Sequence, residues 1–230
     1  MSDLSRNYAL IRERMEAACR KAGRSVDEVR MLAVSKYVPI ARLQEAAEAG
    51  VHIFGENHAQ ELNEKQTFFE HHACEVHFIG QLQTNKLKYV CGSVTLIESV
   101  DRQNLLEALE RRSASLGVVS DILIQVNIGG EPQKGGVAGE DLGRFADMAA
   151  ERPHIRMRGL MCVPPALDAE RVRPYFARMR GLFERMQSVY DGFPIDTLSM
   201  GMSHDYEAAI LEGATQVRIG TALFGARDQK

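Results

Sequence analysis

Three groups of residues stand where polar side chains need a reason. The apolar run Met31-Leu32-Ala33-Val34-Ser35 ends in Lys36, and Pro39 prevents it from continuing as a strand ladder. An ammonium at the mouth of a buried strand either snorkels to the surface or requires a partner, a ligand or a covalent bond. Apolar surroundings favour the neutral amine, the form that attacks an aldehyde. Farther along, Leu198-Ser199-Met200-Gly201-Met202-Ser203 leads into a stretch of helical character at 206–212, with Ser203 placed to cap it. Gly220-Thr221 opens a last short turn. Singly, Ser203, Gly220 and Thr221 are ordinary caps and turns. Together, two hydroxyls and a glycine that admits close backbone approach form a phosphate cradle. Arg218 lies between Val217 and Ile219, and strand alternation turns it away from those two. Its fixed charge requires acceptors, either an interior glutamate or the ring nitrogen of a bound cofactor.

The elements that would carry these groups repeat a simple alternation. Near-continuous apolar runs, as parallel strands covered on both faces require, fall at 31–35, 51–54, 76–79, 94–98, 121–128, 155–163, 195–200 and 216–219. Between them lie helical spacings such as Leu105, Leu106 and Leu109, or Tyr175, Met179, Leu182, Phe183, Met186 and Tyr190. Leu4, Tyr8, Ile11, Met15 and Ala18 mark a further amphipathic helix ahead of the first run. Eight strand–helix units without a Pro-, Gly- or Ser-rich linker predict a single α/β domain over 1–230, a (β/α)8 TIM barrel with an extra N-terminal helix. An open doubly wound sheet is the alternative, but it wants a Gly-rich turn where this chain has Lys-Tyr-Val-Pro. Lys36, Glu56, Asn57, Gln81, Ser99, Asp101, Asn127, Ser203 and Thr221 all end or follow runs, so a barrel gathers them at its C-terminal mouth.

Composition excludes other classes. A net charge of −3 over 230 residues gives no whole-chain basic field, so nucleic acid and anionic membrane are not expected partners. Four cysteines without a C-x-x-C pair suit reduced thiols in a cytoplasmic protein. No apolar stretch has the length of a membrane span, and the N-terminus has no uninterrupted signal-peptide core. Its arginines hint at a transit peptide, but Asp3, Glu13 and Glu16 count against one. His71, His72, Cys74 and His77 crowd together without a zinc spacing, and no metal is expected there. The loop Gly129-Gly130-Glu131-Pro132-Gln133-Lys134-Gly135-Gly136 lacks a G-K-[ST] ending and reads as a flexible mouth loop. Gly201-Met202-Ser203 lacks the second glycine of a nucleophile elbow, and the adjacent Ser203, His204 and Asp205 cannot fold into a triad.

A lysine amine, a phosphate cradle and an inward guanidinium at one barrel mouth match the three polar points of pyridoxal 5'-phosphate: aldehyde, phosphate and pyridine nitrogen. The blocks Ala33-Val34-Ser35-Lys36, Phe54-Gly55-Glu56-Asn57, His77-Phe78-Ile79-Gly80-Gln81-Leu82-Gln83-Thr84-Asn85-Lys86, Arg158-Gly159-Leu160-Met161, Leu198 to Ser203 and Val217 to Gly225 resemble the pyridoxal phosphate homeostasis protein family, in order and spacing. The resemblance implies a fold-type III barrel like the N-terminal domain of alanine racemase, with the cofactor as an internal aldimine on Lys36. It implies Asn57 beside the cofactor, Ser203, Gly220 and Thr221 on the phosphate in a segment that includes Gly201, and Arg218 facing the pyridine nitrogen. Tyr37-Val38 follows the lysine where many members have Thr or Lys.

The implied role is a carrier and regulator of vitamin B6 without robust turnover, its partners the small-molecule cofactor and apo enzymes that receive it. A fold-type III amino-acid racemase is the rival. Its second base, by resemblance, is a tyrosine on an added β-domain, and residues 221–230 leave no room for one. A pyridine nitrogen facing Arg218 rather than an acid also makes a weaker electron sink. A Schiff-base aldolase shares the lysine and the cradle, but gives an inward arginine no role.

Overall fold

A computed structural model describes residues 2–225. The expected eight runs form β1 (Arg30–Val34), β2 (Ile53–Glu56), β3 (Glu75–Phe78), β4 (Leu96–Val100), β5 (Ser120–Val126), β6 (Ile155–Cys162), β7 (Thr197–Met202) and β8 (Gln216–Ile219). Each pairs in parallel with the next, and β8 returns to β1, closing the barrel. The helices are α1 (Asp3–Lys21), α2 (Ile40–Glu48), α3 (Ala59–His71), α4 (Leu87–Val90), α5 (Gln103–Leu116), α6 (Leu142–Ala150), α7 (Ala169–Val189), α8 (Tyr206–Leu211) and α9 (Thr221–Phe224). Of the expected tail, residues 226–230 lie outside the described ones.

The barrel separates two apolar regions. Outward strand residues and the helices make one continuous core, in which Phe54 of β2 meets Phe68 and Phe69 of α3 edge-on or tilted. Leu96, Leu123 and Met161 form a separate small cluster. The expected N-terminal helix is α1: Leu4, Ile11, Met15 and Ala18 are buried, and the Ser2 hydroxyl caps its start by accepting from Ser5 N. It lies against α8 and α9, and Asn7 Nδ2 donates to Leu223 O at 3.0 Å. The two ends of the described chain therefore meet.

Register sets what can approach the mouth. Leu32 pairs with Arg218 and Ala33 with Ile219 across β1 and β8. A Cβ on Gly55 would fall 2.4 Å from Leu32 Cδ2, so the glycine makes space for that leucine. Gly201, at φ +90°, lets α8 rest on β7, because a Cβ there would fall 2.5 Å from Ala209 Cβ. Gly201→Ala is therefore expected to lower stability by about 1–3 kcal/mol, read as a shift of the urea midpoint at unchanged slope.

Candidate functional site: the barrel mouth

Lys36 follows β1, half-buried, and alternation sets it on the same side as Leu32 and Val34. The preceding residue is fixed at three atoms. Ser35 N donates to Gly55 O at 2.9 Å, its Oγ donates to Glu56 Oε1 at 2.7 Å, and its carbonyl accepts from Lys65 Nζ at 2.7 Å. Glu56 thus turns outward toward α3 and away from the mouth, a correction to the expectation that every residue ending a run faces it. The cause is Lys65, buried on α3, which draws in a carboxylate that water cannot reach. Burial lifts the Glu56 carboxyl above its ordinary value, with the Lys65 ammonium working against that rise.

Asn57 follows β2 beside Gly80, where a Cβ would fall 2.2 Å from the asparagine carbonyl. Its side-chain Oδ1 is buried with no hydrogen-bond partner, as is Ser99 Oγ at the end of β4. Buried polar atoms rarely stay unpaired, so these two orphans are suited to a ligand with hydrogen-bonding groups.

Ser203 does not cap α8. That helix is preceded by Asp205, whose carboxylate accepts from Met202 N at 2.6 Å and closes the turn, because β7 runs on to Met202. The Ser203 hydroxyl instead accepts from Gly220 N and Ala222 N, each at 3.2 Å. Backbone amides after β8 thus converge on the oxygen of a residue after β7. A Cβ on Gly220 would meet only Val34 Cβ, at 3.5 Å, and Thr221 beside it is exposed.

Arg218 is buried, and its guanidinium turns into the barrel as alternation predicts. Nη1 donates to Ser199 Oγ and Nη2 to Cys162 O, both at 2.7 Å. Of the two acceptors the sequence left open, the interior glutamate is present at one remove. Ser199 Oγ donates to Glu98 Oε2 at 2.6 Å, Gln216 Nε2 donates to Glu98 Oε1 at 2.6 Å, and His77 Nδ1 lies 2.7 Å from the same oxygen. Burial opposes charge on Glu98, yet His77, Arg218 and Ser199 hold its carboxyl below the ordinary value. Burial likewise opposes charge on His77, and Glu75 and Glu98 together raise it. His77 has left the sequence neighbours read with it as a metal cluster: His72 Nδ1 lies 2.9 Å from Phe68 O, at the far end of α3.

Sequence reading missed Lys65, Glu98, Ser199 and Gln216 as parts of this arrangement. Three of them carried a signal. Lys65 interrupts the buried stripe of α3 between Leu62 and Phe68, Glu98 sits mid-strand among apolar residues, and Gln216 shares a face with Arg218 two residues on.

The loop expected to be flexible is fastened over the mouth. Asn127 Nδ2 donates to Glu131 O and Lys134 O, Lys134 Nζ donates to Pro164 O, and Gly136 N donates to Asp101 Oδ2.

Fold and mouth define a closed parallel barrel with a lysine after its first strand and a serine–amide cluster between its last two. The comparisons agree. The family described as "Alanine racemase, N-terminal domain" matches residues 4–228. The pyridoxal phosphate homeostasis protein of Aquifex aeolicus is 46% identical over 216 residues, covering 94% of each chain. That of Escherichia coli is 42% identical, covering 99% of this chain and 98% of its own. The structure of PipY of Synechococcus elongatus with PLP bound superposes with a TM-score of 0.84 at 32% identity, covering 97% of this chain and all of that one. The chain belongs to the pyridoxal phosphate homeostasis proteins, within the alanine racemase N-terminal-domain family. A D-threonine aldolase from Filomicrobium marinum, with a TM-score of 0.71 at 15% identity, shares the fold alone.

The interior histidine makes stability depend on pH. Its folded pKa is raised above the ordinary 6.5, so the folded protein binds the extra proton more tightly than the unfolded chain. This contribution is full below about 6.5 and is lost as pH rises through the folded value. Urea midpoints of the wild type are expected to fall above neutral pH, and those of His77→Gln to fall less over the same interval.

Proposed function

We propose that this protein binds pyridoxal 5'-phosphate at the barrel mouth and serves the homeostasis of vitamin B6 by storing and delivering it. One observation carries the reading: Lys36, the Ser203–Gly220–Ala222 cluster and Arg218 stand on the contiguous strands β7, β8 and β1, joined by the Leu32–Arg218 register. The bound cofactor supplies an aldehyde and an electron-withdrawing ring. Lys36, half-buried after β1, would hold the cofactor through that aldehyde. Ser203, Gly220 and Thr221 would hold the phosphate, with the amides that now donate to Ser203 Oγ as its donors. Asn57, whose buried Oδ1 lacks a partner, would line the cofactor's site. Gly201 contributes by letting α8 seat against β7.

Arg218 would hold the ring nitrogen side of the cofactor. Its guanidinium does not give up a proton at physiological pH, and Ser199 and Cys162 hold it from below. A ring nitrogen set against that fixed cation would stay unprotonated, which would disfavour carbanion chemistry and suit a carrier more than a catalyst. The chain acts in this reading as one barrel domain over 1–230 in the cytoplasm, and apo enzymes that require the cofactor receive it. No helix among the described residues is long and apolar enough to cross a membrane.

Protein as purified, or after addition of pyridoxal phosphate, is expected to be yellow. Borohydride should bleach the band and leave a reduced label that peptide mapping finds on Lys36, and Lys36→Ala should lose the band. A protein that stays colourless with added cofactor would refute the reading. Arg218→Met removes a charged donor from the ring and is expected to raise the cofactor concentration at half-saturation by about tenfold or more, measured by absorbance titration.

A further inference from the structure

The buried charges behind Lys36 do no evident work for the barrel core. Lys65 is 4% exposed and Glu56 fully buried, and they face each other between the end of β2 and α3. The three donors of the Lys65 ammonium match three acceptors: Ser35 O at 2.7 Å, Glu56 Oε1 at 2.9 Å and Glu61 Oε1 at 2.6 Å. A buried ion pair of this sort adds little stability over an apolar substitute of equal size, so stability alone gives weak grounds for its presence. Its placement gives stronger ones. Lys65 grips the carbonyl of the residue before Lys36, and Glu61 Oε1 accepts from the amide of the residue after it, Tyr37 N, at 2.5 Å.

Tyr37 is one of two non-glycine residues among the described ones with a left-handed backbone, at φ +61°. Such a conformation persists in a bulky residue only where its surroundings hold it. Here the Glu61 carboxylate, itself fixed by Lys65, holds the amide, while the Tyr37 hydroxyl meets His58 Nε2 at 2.8 Å. Ser35 is tied to β2, Tyr37 is left-handed and tied to α3, and the direction in which Lys36 leaves the backbone is set between them.

We propose that Lys65 and Glu61, with Glu56, are positioning residues that aim Lys36 at its aldehyde, so that capture of the cofactor depends on an ion cluster outside the barrel mouth. The inference rests on the reading of Lys36 as the cofactor lysine. A lysine held within a narrow cone loses less freedom when the imine forms, and loosening either neighbour lowers affinity without removing any group that touches the cofactor.

Apo protein titrated with pyridoxal phosphate, read by imine absorbance and followed by borohydride and peptide mapping, tests this. Glu61→Ala deletes the acceptor of Tyr37 N–H and is expected to raise the half-saturating concentration about tenfold. Glu61→Gln keeps an acceptor oxygen and should stay within about threefold of wild type. In the Glu61→Ala background, Tyr37→Asn, which adopts the left-handed region readily, should recover part of the loss. If Glu61→Ala loses its fold, Tyr37→Val carries the same tenfold expectation, since a β-branched residue resists this backbone while the ion cluster stays intact. Wild-type affinity in Glu61→Ala or Tyr37→Val, with the wild-type label on Lys36, overturns the positioning role and leaves the proposed function standing. Equal losses in Glu61→Ala and Glu61→Gln overturn it too, because charge rather than backbone direction would then be what matters. A wild-type label anywhere but Lys36 overturns both.

Discussion

A carboxylate sealed from water must be surrounded by donors, and Glu98 at the centre of the barrel imposes that requirement on four strands. His77 from β3, Ser199 from β7 and Gln216 from β8 all point at it, and Ser199 passes the connection upward to Arg218. Below, His77 Nε2 lies 3.8 Å from Glu75, which Arg30 also pairs, and the neighbouring imidazole and guanidinium hold the Glu75 carboxyl down to about 2. The barrel interior is thus a column of alternating charge that runs from the floor to the mouth. Arg218 stands at its top, already oriented, which is what a fixed cation facing a ligand requires.

Outside the barrel the same physics acts on a smaller scale. Lys65, Glu56 and Glu61 form a second buried cluster between β2 and α3, and it grips the backbone on both sides of Lys36. The two clusters lie on opposite faces of the strands, one under the guanidinium and one behind the lysine. Each spends buried charge on orientation, a use for which ion pairs suit better than apolar packing, because their geometry is directional.

The fold was legible because its signal is repeated. Eight apolar runs separated by helical spacings leave few alternatives, and a one- or two-residue error at a strand end changes nothing in the topology. Lys36, Ser203, Gly220 and Arg218 could be picked out because each breaks a local rule: a charge after an apolar run, or a hydroxyl and a glycine opening a turn. What stayed hidden was direction. Sequence placed Glu56 at the mouth because it ends a run, and only the buried ammonium of Lys65, nine residues on, turns it outward. It made Ser203 the cap of the next helix, because nothing local says that β7 continues to Met202 and that Asp205 closes the turn. Glu98 and Gln216 meet across 118 residues of chain, a contact that no local pattern encodes.

The union of the first helix with the last turn has a temporal consequence. Asn7 reaches the carbonyl of Leu223 across 216 positions, and β1 finds its second neighbour only when β8 exists. A polypeptide still emerging from the ribosome therefore owns its lysine long before it owns the amides that gather at Ser203, and the circle of strands stays open until β8 has been made. A product that stops short of β8 would carry the lysine without the amides that converge on Ser203.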